Sequence, residues 1–169
     1  MMRILLTLLG IVAIVSYSVL GAILMNDWAV VAASGVPLDT TIADMDSADQ
    51  PYSAIPGFVF AALGILLALA WGVTTMLRRT ALPNWATGSL WVGILTLGAP
   101  AYFFTSFGNM NSVGDTYADW NSEAASVLEA PLYMVSGIAF LVAVAILVTT
   151  VTKATVRKKS SPVQWPSNK

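Results

Sequence analysis

The chain contains neither cysteine nor histidine. The first absence excludes disulfides, zinc–thiolate sites and cysteine-ligated iron–sulfur clusters. The second removes the usual haem axial ligand, the commonest metal ligand and the one side chain that titrates near neutrality unaided. Redox, hydrolytic and proton-relay chemistry therefore lose their usual parts. Charge is scarce as well: 10% of the residues carry it, where a soluble domain has roughly 25%. That is too little to coat a water-facing surface, and a hydrophobic content of 57% points to a membrane protein.

Four segments have the length and composition to cross a bilayer: residues 4–25, 55–77, 86–104 and 131–152. Each is close to the ~20 apolar residues that match a hydrocarbon core of ~30 Å. None contains Asp, Glu, Lys or Arg. The predicted fold is an all-α integral membrane protein, a four-transmembrane-helix bundle over residues 1–152, followed by a basic tail at 153–169. Residues 26–54 and 105–130 are expected to be outer loops. Pro100 interrupts the third span and is expected to kink it or free a carbonyl. The first apolar run exceeds the roughly 7–15 residues of a signal-peptide core, so it is expected to be retained.

The charges sort by sign. Arg3, Arg78, Arg79, Lys153, Arg157, Lys158, Lys159 and Lys169 all fall at one end of the spans. Asp27, Asp39, Asp44, Asp46, Asp49, Asp115, Asp119, Glu123 and Glu129 all fall at the other. The positive-inside rule then predicts a cell (plasma) membrane protein with both termini cytoplasmic and its acidic loops extracytoplasmic. Removing the third span would put acids and bases on the same side.

An offset of 75 residues lays span two over span four: Pro56 meets Pro131, Leu66 meets Leu141, and "VTT" at 73–75 meets "VTT" at 148–150. This pattern fits a duplicated two-helix hairpin, and it also fits two spans drawn from the same small apolar alphabet. Within the spans, Gly64, Ala68 and Gly72 recur four apart, as do Ala139 and Ala143. Such stripes let helix backbones approach closely, either inside the bundle or against a partner subunit. The scattered Ser and Thr hydroxyls are expected to bond their own i−4 carbonyls. Trp71 and Trp91 lie inside the basic ends of their spans, where packing or contact with a neighbour or a lipid-borne cofactor would account for them.

The segment "DTTIADMDSADQ", 39–50, carries four aspartates but fails as a calcium loop. Asp44 and Asp46 alternate, yet Ala48 follows, Asp49 stands where the loop needs Gly, and no Glu closes it. The apolar run before it is expected to lie on the membrane surface. In "DTYADWNSEAASVLEA", 115–130, Tyr117, Trp120, Ala124, Val127 and Leu128 share one helical face. This predicts a short amphipathic helix at the interface, against a partner or against its own bundle. In the tail, basic residues near anionic lipid contribute about 1 kcal/mol each. The prolines of "PVQWP", 162–166, extend the chain around Trp165.

The overall plan resembles the small four-span accessory subunits of large bacterial membrane complexes such as respiratory supercomplexes. With no ligand set, buried charge or nucleophile constellation in the sequence, the expected role is non-catalytic, with other integral membrane subunits as partners and anionic lipids at the basic tail. Partner contacts are expected at Gly64, Ala68, Gly72, Trp120 and Trp165. No catalytic residue, cofactor, metal or nucleic acid is expected. The alternative is a small transporter or channel for a neutral or lipid-like solute.

Overall fold

In a computed structural model, residues 2–77 and 84–159 form only helices and their connections. Helix α1, Met2–Ile23, continues through a π-helical turn at Leu24–Trp28 into α2, Ala29–Ser34. Then follow α3, Leu38–Ser47, α4, Ile55–Met76, α5, Asn84–Thr116, and α6, Ser122–Lys159. Four of these stretches are long and apolar enough to cross a membrane: Ile4–Ser34, Ile55–Met76, Trp85–Thr116 and Ser122–Lys153. The described residues are thus all-helical, with four helices that suit a multi-pass membrane protein. The basic pair Arg78 and Arg79 and the anchor Trp165 lie outside the described residues.

The α1–α4 contact shows why glycine recurs. The buried positions of α4, Gly57, Phe60, Gly64, Ala68, Trp71, Gly72 and Thr75, follow helical spacing and face α1. A Cβ on Gly64 would collide with Ser18, one on Gly72 would meet the Ile11 side chain at 2.8 Å, and one on Gly10 would meet the Trp71 ring at 2.7 Å. Gly21 receives the edge of Phe60, and Thr7 bonds Thr75 at 3.3 Å. The partners run in opposite order along the two helices, so the pair is antiparallel and its backbones approach at the glycines. Helices α5 and α6 form the second antiparallel pair.

Pro100 does not end α5, which runs on to Thr116. Instead Ser136 of α6 enters the ladder one turn earlier. Its hydroxyl donates to the Leu95 carbonyl at 2.7 Å, accepts from the Ala99 N–H at 3.1 Å and pairs with the Tyr17 hydroxyl at 3.0 Å. One hydroxyl thereby inserts between the Ala99 N–H and the Leu95 carbonyl, the ladder pair just before the proline, and ties α1, α5 and α6 together. Most other hydroxyls bond the i−4 carbonyl as expected, among them Thr74, Thr96, Thr149 and Thr150.

The segments expected to be outer loops are largely helical and build a second packed body at the acidic end. The apolar run before the aspartates does not lie flat on a membrane surface. It extends the first helix and buries Ala29, Val30 and Ala33 against Met45, Val113 and Ala125. The amphipathic helix expected at 115–130 is broken instead at 117–121, where α5 ends and α6 begins. Val127 and Leu128 are exposed, and Ala125 is the residue of that stretch that enters the core. Burial of the head decides the register, because Ala125 must pack on α2.

Asparagines hold this head. Asn109 donates to the carbonyls of Met25 and Ser53 at 3.2 and 2.9 Å and accepts from the Ser53 N–H at 3.0 Å. The Tyr52 hydroxyl takes the Asn26 carbonyl. With Met25 and Asn26 carbonyls engaged by other elements, the helix accommodates a π-turn at Leu24–Trp28. Asn121 caps α6, its Oδ1 accepting the Ala124 N–H at 2.9 Å, while its own N–H reaches the Ala33 carbonyl at 2.7 Å. Asn121→Ala is expected to lower stability by about 1 kcal/mol. The check is faster amide exchange at residues 122–125 with the membrane-facing core of the bundle unchanged.

Candidate functional site

Of the aspartates of 39–50, Asp39 and Asp46 line one hollow beside α3, and Asp44 and Asp49 are not part of it. Asp44 accepts the Tyr117 hydroxyl at 2.7 Å, linking α3 to the end of α5. Burial, with that hydrogen bond second, raises the Tyr117 phenol above its ordinary range. Asp49 has φ of 55° and occupies the left-handed position that ends α3. There the Gln50 N–H reaches the Met45 carbonyl at 2.8 Å and the Asp49 N–H reaches Asp46 at 3.2 Å, a Schellman stop normally filled by glycine. Among the described residues, no group of three acids is placed to hold a metal ion.

The stripe Gly64, Ala68 and Gly72 is occupied by α1 of the same chain, and Ala68 is fully buried. Of the two contacts expected of this spacing, the stripe makes the internal one, because these glycines are what lets α1 and α4 touch. Ala139 and Ala143 are likewise turned toward the core, on the α5 side. Trp71 and Trp91 meet over Gly10, whose missing side chain leaves room for both rings. They serve packing, but their indole nitrogens, with the Thr87 hydroxyl, are buried without a hydrogen-bond partner.

The feature with the most chemical content lies where α5 and α6 diverge at the acidic end. Helical spacing puts Phe103 and Phe107 one turn apart on α5, with ring centroids 6.0 Å apart. Tyr133 follows Glu129 by one turn on α6, and Trp120 projects from the intervening turn. These residues line a hollow of about 610 Å³. On its inner side Tyr102, fully buried, donates to Glu129 Oε1 at 2.8 Å and stacks edge-on against Tyr133 at 5.9 Å. Of the expected partner-binding residues, Trp120 is the one the structure brings to this hollow.

Sequence reasoning placed Glu129 with the other acids as a mark of topology and did not separate it from them. The available signal was its position two residues before an apolar run, one helical turn from Tyr133. A second hollow of about 220 Å³ lies between α1, α4 and α5 and is apolar apart from Tyr17 and Ser18. The hydroxyls, aromatics and one carboxylate of the first hollow can bind and orient a group. No protein-family model, curated protein or solved structure matches this chain.

Proposed function

We propose that this chain is a non-catalytic accessory subunit of a larger membrane protein complex, a respiratory assembly being one example. Its acidic head would lie outside the cell membrane and both termini in the cytoplasm. The observation that carries the reading is the uneven coverage of the spans. In the most apolar window of the first, 44% of residues are buried within the chain, and in that of the fourth only 11%. Around its middle α6 presents Phe140, Leu141, Val144, Leu147 and Val148 outward. Gly137, with nothing near the position of its missing Cβ, gives that face a point of close approach.

Pairing of α1 with α4 and of α5 with α6 supports a description as two hairpins, related by duplication. The charge segregation supports the orientation. Docking would use the open face of α6, with the head and basic tail contributing electrostatic guidance. Purification of the tagged chain from its native membrane in mild detergent tests the proposal. The expected result is co-elution with other integral membrane proteins in a fixed ratio. Elution of the chain alone, folded and near its own 17.9 kDa plus detergent, would overturn it.

A further inference from the structure

We infer that the hollow between α5 and α6 is a binding site for an organic ammonium group carried on an apolar body. Its lining joins aromatic rings of Phe103, Phe107, Trp120 and Tyr133 to the carboxylate of Glu129. No lysine or arginine lines it. Tyr102 supplies Glu129 with one neutral hydrogen bond, and among the described residues no cation stands beside it. A half-buried carboxylate without a counter-ion is costly, and a bound cation offsets that cost.

The rings make the cation an organic one. The negative faces of aromatic rings attract an ammonium that has shed part of its water, whereas a small inorganic cation needs a full shell of oxygen ligands and this lining offers one carboxylate and scattered hydroxyls among its rings. The volume suits a drug-sized ligand or a lipid headgroup with part of its chains, since such sites span roughly 300–1,000 Å³. Position agrees: Glu129 precedes the apolar stretch 131–152 by one turn or less, so the hollow sits where the polar end of an amphiphile meets its apolar body.

The test uses the full chain in maltoside micelles and follows Trp120 emission, assigned by difference from Trp120→Phe. Benzyltrimethylammonium is expected to perturb it saturably, and benzyl alcohol and benzenesulfonate are expected to do so at least roughly tenfold more weakly. Glu129→Gln keeps an acceptor for Tyr102 and is expected to weaken benzyltrimethylammonium roughly tenfold. Phe107→Leu, which keeps the bulk, is expected to weaken it several-fold while leaving the circular dichroism unchanged. Equal responses to the ammonium and the alcohol, or unaltered binding in Glu129→Gln and Phe107→Leu, would overturn the assignment. In phosphatidylglycerol nanodiscs, competition by added phosphatidylethanolamine would identify a lipid headgroup as the source of the ammonium. Lack of competition would identify a soluble amine at the same site.

Discussion

Gly64→Ala is expected to destabilise the isolated chain by about 2 kcal/mol, and Gly64→Val by more. The added Cβ falls on both the Oγ and the Cβ of Ser18. Rotating the Ser18 hydroxyl away removes the first clash but breaks its 2.8 Å bond to the Ile14 carbonyl, and the clash with its Cβ persists. The helices must therefore separate. Separation forfeits close packing along the pair from Gly10 to Gly57, which in lipid is a main source of helix association. Gly137→Ala is the control, because nothing lies near that position; it is expected to be neutral or slightly stabilising. Unfolding titrations in mixed micelles, followed by circular dichroism, compare the three. If the Gly64 stripe served a partner and not α1, Gly64→Ala would leave the isolated chain as stable as the parent.

Asn109→Leu carries the second large effect, about 3 kcal/mol, since it leaves three backbone groups without their partner in a mostly buried place. Those groups are the carbonyls of Met25 and Ser53 and the Ser53 N–H. Leucine is close in volume, so lost hydrogen bonding and not a cavity dominates. Freed of Asn109, the Met25 carbonyl can rejoin the helical ladder, and the π-turn is expected to relax toward α-helix. Amide exchange should rise at 24–28 and 52–54 while α4 stays protected. Protection unchanged in both segments would show that Asn109 does not hold the head to the bundle.

The membrane-facing half was legible because hydropathy sums over some twenty residues and one charge in a span would have shown. The glycine stripe of α4 was legible as a contact surface, but nothing in its spacing says whether the surface meets α1 or another chain. The acidic head was not legible. Its core comes from short pieces, Ala29 and Val30, Met45, Val113 and Ala125, each contributing too few apolar residues for a periodic signal of its own. Residues 39–50 read as part of an acidic outer loop because the two positions that fix them, Thr41 and Met45, are outnumbered by aspartates.

Two features depend on tertiary partners and could not be reached from local pattern. Ser136 looks like any serine in an apolar helix until α5 brings Leu95 and Ala99 to it. Glu129 looks like a topology mark until Tyr102, 27 residues earlier, is found holding it. Asn121 was reachable: asparagine ahead of Ser-Glu at the head of an apolar run is a helix-start signature.

Photocrosslinking from Leu141, on the open face of α6, tests the accessory-subunit reading most directly. A photoreactive residue there, with Thr74 of α4 as a second exposed position in the membrane, is activated in native membranes. The expected result is one discrete adduct from position 141 with another integral membrane protein, abolished by Gly137→Leu, which blocks close approach. Adducts with lipid alone at position 141, or adducts insensitive to Gly137→Leu and equal at both positions, would contradict it.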